Sequence, residues 1–78
     1  MEVKIYSTPA CGYCKIAKEY FKEKNIPYQG IDVFGDKEDR EEMIKISGGF
    51  SVPVISIDGR VVVGWNRGRV EEYLGNKT

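Results

Sequence analysis

Short runs rich in β-forming residues alternate along this chain with longer stretches whose apolar positions recur at helical spacing. EVKIYS (2–7) is such a run and predicts a strand, which STPACG then breaks. From about Cys11 to Lys24, Ile16, Ala17, Tyr20 and Phe21 fall at helical spacing, with Lys15, Lys18, Lys22 and Glu23 mostly opposite them. This pattern predicts an amphipathic helix with those four apolar residues on its buried face. It ends near Asn25-Ile26-Pro27, because proline disfavours a helical residue before it. YQGIDVF (28–34) predicts the next strand. Asp36 is placed to cap a helix over Lys37–Ser47, with Glu38 and Asp39 at the positive end of its dipole. Gly48 and Gly49 supply a left-handed residue to close it. VPVISI (52–57) and RVVVG (60–64) predict two strands joined by Asp58-Gly59, a two-residue type I′ hairpin signal. NRGRVEEYLG (66–75) predicts a last short helix, weakened by Gly68.

The order is therefore βαβ, then α, then ββα. The first part requires two parallel strands with a right-handed crossover, and the hairpin adds an antiparallel pair. About three helices on a mixed four-stranded sheet would bury most of the apolar residues, an α/β architecture. The 78 residues suffice for one small domain, taken as 1–78. Twelve basic residues balance twelve acidic ones, which argues against nucleic acid or an anionic membrane as a partner recognised by bulk charge. MEVKIYSTPA reads as a strand rather than as a targeting segment, and no apolar run approaches the ~18–20 residues of a membrane span. The expectation is a soluble, cytoplasmic protein. Nothing reads as an obligate interface, so a monomer is expected.

The chemistry concentrates in TPACGYCK (8–15), which holds both cysteines, Cys11 and Cys14. The chain has no histidine, which removes Cys–His nucleophile pairs. A mononuclear structural zinc site wants about four Cys or His ligands, and one chain offers two. Cys11 falls just after a strand at the start of a helix, and Cys14 one turn on, so the sulfurs can meet. A helix N-terminus carries unpaired N–H groups and roughly half a positive charge, both favouring thiolate. Cysteine pKa falls from ~8.5 toward ~3.5–7.5 in such settings. Cys11, nearer the terminus, is cast as the nucleophile and Cys14 as the resolving thiol. The alternatives are metal or cluster binding, and an inert staple. A staple over so small a loop removes little chain entropy.

Pro53 in SVPV is the second pointer. Proline at a strand start avoids losing a ladder bond. A cis Val52–Pro53 bond would turn the backbone of Val52 outward, where its N–H and C=O can pair with an extended thiol substrate.

YSTPACGYC, VPVISIDG and the Gly-Trp after the last strand together resemble the glutaredoxin family, over nearly the whole chain. The resemblance implies a thioredoxin fold with strand order 2-1-3-4 and the third strand antiparallel to the first. It also implies a dithiol at Cys11 and Cys14 that reduces disulfides or glutathione mixed disulfides, with no tightly bound cofactor and glutathione as a possible reductant. Glutaredoxins that use glutathione commonly read Cys-Pro-Tyr-Cys, where this chain has Gly12. They commonly carry a lysine a few residues before the first cysteine, where Ser7, Thr8 and Pro9 stand. Their last helix opens with Gly-Gly and an acidic residue, where this chain has Gly64, Trp65, Asn66 and Arg67. The Gly-aromatic pair is similar to that of redoxins that serve ribonucleotide reductase and take electrons from thioredoxin reductase. Gly12 either loosens the loop or permits a glutathione-ligated [2Fe–2S] cluster shared by two chains, as in family members lacking that proline.

Around the dithiol, Tyr13 is a candidate for lining the substrate groove or a plain exposed aromatic. Trp65 is expected to be partly buried, as core or groove wall. Asn66 and Arg67 lie at a helix start and are candidates for a glutathione carboxylate, against a simple N-cap and a solvated arginine. Lys15 and the run DKEDREE (36–42) read as polar helix faces.

Overall fold

The computed structural model describes residues 2–75, so the ends of the expected 1–78 domain lie outside the described residues. The elements run β1 (Val3–Ser7), α1 (Gly12–Glu23), β2 (Gln29–Asp32), α2 (Lys37–Ser47), β3 (Val54–Ile57), β4 (Arg60–Val63) and α3 (Arg67–Tyr73). They form one four-stranded sheet in the order β2-β1-β3-β4. β1 pairs parallel with β2 and antiparallel with β3, and β3 pairs antiparallel with β4. This is the thioredoxin fold that the resemblance implied.

The alternation along β1 sorts its side chains to two faces. Val3 and Ile5 join Ile55, Ile57 and Val62 under Ala17, Tyr20 and Phe21 of α1 and Val70 of α3. Tyr6 points the other way and meets Val54, Val33 and Met43 of α2. Val54, Ile55 and Ile57 are all buried, because β3 is central and covered on both faces. No helix among the described residues is long and apolar enough to cross a membrane.

The expected punctuation is in place. The Asp36 side chain accepts from the backbone N–H of Glu38 at 2.9 Å and of Asp39 at 3.2 Å, which starts α2. Gly48 closes that helix in the left-handed region, at φ 79°. Asp58 and Gly59 take φ of 50° and 87°, the pair of positive angles that a type I′ hairpin needs.

Two expectations need correction. β2 is shorter than 28–34. The Asp32 carboxylate accepts the N–H of Phe34 at 2.8 Å, folding the chain out of the ladder, while Val33 donates its N–H to Ser7 O at 2.9 Å. Val33 then turns under α2 and Phe34 is left exposed. Ile16 is not on the buried face of α1 but 48% exposed. The buried stripe is Cys14, Ala17, Tyr20 and Phe21. One residue turns a helix by about 100°, so Ile16 sits on the flank of that stripe, above Tyr20 and toward α3.

Candidate active site

Three segments converge where β1 ends. The first leaves β1 as Thr8–Cys11 and enters α1. The second is the loop ahead of β3. Tyr6 pairs with Val54, so one register step further sets Pro53 beside Ser7. The third leaves β4, where the Gly64 N–H donates to Pro53 O at 2.8 Å and ties the start of α3 to the same corner.

Cys11 is the N-cap of α1, with extended φ/ψ of −92° and 112°. Its own N–H donates to Thr8 O at 3.3 Å, and its carbonyl accepts from Lys15 N at 3.4 Å. Its Sγ accepts the backbone N–H of Cys14 at 3.1 Å, the role that a serine or aspartate oxygen plays at other helix starts. Cys11 and Cys14 form a disulfide with their Cα atoms 5.2 Å apart. Cys14 is only 2% exposed, while Cys11 is partly open to solvent. The Val52–Pro53 peptide bond is cis, as the sequence suggested. The Pro53 side chain is buried and Val52 is half-buried, so of the two it is Val52 that presents a surface.

Tyr13 stands 64% exposed on the first turn of α1. Trp65 is half-buried and packs edge-on against Tyr20, with ring centroids 5.4 Å apart. The Asn66 side-chain oxygen is taken up by the N–H of Arg69 at 3.1 Å, so Asn66 is the N-cap of α3 and that oxygen is not free for a ligand. Arg67 Nε donates to Glu71 Oε2 at 3.2 Å and its guanidinium lies 5.6 Å over the Tyr20 ring. The structure therefore sets Cys11, Cys14 and Tyr13 at the start of α1 and Val52 and Pro53 in the loop beside the end of β1, with Trp65 packed further along α1 on Tyr20 and with Asn66 and Arg67 already engaged within α3.

The chain matches the glutaredoxin family model over residues 3–62. A glutaredoxin-like 8.6 kDa protein from the rubredoxin operon of Clostridium pasteurianum is 46% identical over 72 residues, covering 92% of this chain and 96% of that one. The chain belongs to the glutaredoxin family. Glutaredoxin 3 of Escherichia coli K12 is 40% identical over 62 residues, 80% of this chain and 75% of that one. The crystal structure of a glutaredoxin from Archaeoglobus fulgidus superposes with a TM-score of 0.86 at 28% identity, covering 94% and 85% of the two chains. This glutaredoxin-like protein is a disulfide oxidoreductase with a Cys11–Cys14 pair.

The sequence reading missed Tyr20 and Glu71. Tyr20 read as core, yet its hydroxyl donates to Glu71 Oε2 at 3.1 Å, the same oxygen that Arg67 holds. Burial first, and then Glu71, raise the Tyr20 phenol above its ordinary pKa. The hydrogen bonds from Arg67 and then Tyr20 hold Glu71 below the usual carboxylate range. A buried tyrosine seeks a partner for its hydroxyl, which was the available signal. Among the described residues no group of three or more His, Cys, Asp and Glu side chains could hold a metal ion.

Proposed function

We propose that this glutaredoxin-family chain reduces protein disulfides or glutathione mixed disulfides through Cys11, with Cys14 resolving. The observation that carries the reading is the asymmetry of the pair. Cys11 caps α1 with its sulfur facing a backbone N–H and is partly exposed, whereas Cys14 is buried behind it. The Cys11 thiolate attacks one sulfur of the substrate disulfide, forming a mixed disulfide and releasing the other sulfur as thiolate. Cys14, as thiolate, then attacks Cys11 Sγ, closing the Cys11–Cys14 disulfide and releasing the second substrate thiol. Two electrons pass from the dithiol to the substrate.

Tyr13, Val52, Pro53 and Trp65 form the surroundings of the substrate sulfur. Among the described residues Val52 makes no hydrogen bond, which leaves its N–H and C=O free for an extended substrate. The two Nη groups of Arg67 and the amide nitrogen of Asn66 are side-chain donors at the start of α3 for a substrate carboxylate.

The test is a pair of substitutions. Cys14→Ser should accumulate a mixed disulfide at Cys11, visible by mass, and Cys11→Ser should lose disulfide reduction altogether. Full reductase activity in Cys11→Ser would overturn the reading. NADPH consumption with glutathione and glutathione reductase, run beside thioredoxin reductase, identifies the electron donor.

A further inference from the structure

Ser7 closes β1 at the dithiol corner. Setting the tyrosines and cysteines aside, it is the only polar or charged side chain buried among the described residues, at 2% exposure. Among those residues its hydroxyl takes part in no hydrogen bond, and no side-chain oxygen sealed completely from solvent lacks one, so Oγ keeps part of the little surface that Ser7 has. A buried hydroxyl without a partner costs stability. We propose that Ser7 is a positioning residue for the resolving step, its hydroxyl donating to the Cys14 thiolate once Cys11 is held in the mixed disulfide. The proposal rests on the reading that Cys14 resolves.

Placement comes first. Val3 and Ile5 point to the face that α1 covers, and Tyr6 points to the other. Strand alternation turns Ser7 to the α1 face with Val3 and Ile5. β1 and β2 are parallel, so α1 runs back between them, with Phe21, Ala17 and Cys14 on its buried stripe. From Val3 to Ser7 is about 13 Å of strand, and from Phe21 back to Cys14 is about 10 Å of helix. The lengths nearly match, so Ser7 underlies Cys14 as Val3 and Ile5 underlie Phe21 and Ala17. The backbone fixes Ser7 there: it pairs with Asp32, its carbonyl accepts the Val33 N–H at 2.9 Å, and Pro53 lies beside it on the β3 side.

The chemistry of Cys14 calls for such a donor. Cys14 is 2% exposed, and burial in apolar surroundings raises a thiol pKa, yet resolution needs the thiolate. Its backbone N–H serves Cys11 Sγ, and the chain has no histidine to take its proton. The ionisable side chains of the packed elements lie elsewhere. On α1, Tyr13 and Lys15 are exposed, and Lys18 lies against Gly30 of β2. Asp32 of β2 accepts the Phe34 N–H, Arg67 and Glu71 of α3 are paired with each other, and β3 carries no ionisable group. The Ser7 hydroxyl is the buried donor on the sheet side of Cys14. Cys14 loses its proton to solvent and attacks Cys11 Sγ, and the departing substrate sulfur takes the electron pair of the broken S–S bond. Ser7 stays neutral throughout.

A symmetrical nitrobenzoate disulfide tests this on the whole chain. Attack by Cys11 releases one coloured thiolate and resolution by Cys14 releases the second, so stopped-flow absorbance reads the two steps apart. Ser7→Ala should leave the first phase unchanged and raise the pH midpoint of the second by about one unit. A less stabilised thiolate is also the better nucleophile, by about threefold for that shift. Ser7→Ala should therefore resolve about threefold more slowly than the wild type below both midpoints, and faster above them. Ser7→Thr, which restores the hydroxyl, should return the midpoint to that of the wild type. Urea unfolding of oxidised Ser7→Ala should show no loss of stability, because the hydroxyl removed has no partner in that state. An unmoved midpoint in Ser7→Ala, or a second phase slower at every pH, would overturn the proposal and leave the oxidoreductase reading standing. A wild type that releases only the first thiolate would remove the reading beneath it.

Discussion

The backbone N–H of Cys14 donates to the Sγ of Cys11 across 3.1 Å, so the second cysteine of the motif solvates the first through its main chain while its own sulfur is buried. In the reduced protein that amide and the helix start favour negative charge on Cys11. Limiting iodoacetamide at neutral pH should therefore label Cys11 at least about tenfold faster than Cys14. Peptide mapping by mass reads the ratio, and equal labelling would contradict the assigned roles.

Gly12 is the first helical residue of α1, and a Cβ built there meets nothing within 4 Å. Its N–H makes no hydrogen bond among the described residues, and Cys11 before it already has the extended φ/ψ that a residue preceding proline requires. Gly12→Pro should then raise stability by about 0.4–1 kcal/mol by restricting the unfolded chain. Urea unfolding measures it, and a loss of stability would mean that the turn needs the glycine. Anaerobic reconstitution with glutathione completes the comparison. The electron-carrier reading expects a colourless protein from both forms, whereas a shared [2Fe–2S] cluster would give visible absorbance in the wild type.

Local signals made most of the fold legible: the Asp36 cap, the Asp58-Gly59 turn, the period of α1 and the Val-Pro before β3 each depend on neighbouring residues alone. The strand order came from family resemblance, since no local pattern states which strand lies beside which. Ile16 was misplaced because helical period alone does not fix where a partner helix stops covering the surface; that depends on where α3 packs. The early end of β2 turned on one side chain, Asp32, bonding its own backbone. At the site, the two cysteines were readable from spacing, and the cis Val52–Pro53 bond was one reading of a proline placed at a strand start. The pairing of Tyr20 and Arg67 on Glu71 was not, because Tyr20 and Glu71 are 51 residues apart in sequence.

α2 is attached to the sheet by little. Met43 is its one buried residue, fully enclosed with Tyr6, Val33 and Val54. Met43→Ala should cost about 2–5 kcal/mol, and Met43→Leu under about 1.5 kcal/mol because volume is kept. Hydrogen exchange should show the α2 amides of Met43→Ala losing protection ahead of those of β1 and β3. Uniform loss across the sheet would mean that α2 is not a separable unit.

Another tie to α2 makes a pH-dependent prediction. Tyr6 is 1% exposed, and its hydroxyl donates to Glu42 Oε2 at 2.5 Å. Burial first, and then the Glu42 hydrogen bond and charge, push the Tyr6 phenol above its ordinary range. In the unfolded chain the same phenol ionises near pH ~10. Above that pH the unfolded state binds fewer protons than the folded state, so stability falls as pH rises; below it the contribution is fully present. The Tyr20 phenol is shifted in the same direction, so Tyr6 accounts for part of the slope. Tyr6→Phe should cost about 0.5–1.5 kcal/mol near neutral pH, and it should lose less stability than the wild type between about pH 9 and 11. Urea unfolding of both proteins, with the Cys11–Cys14 disulfide kept closed so that no thiol titrates, supplies the comparison. All other groups are common to the two proteins and cancel in the difference. Parallel pH profiles for the two proteins would show that Tyr6 keeps an ordinary pKa and that Glu42 does not hold its proton.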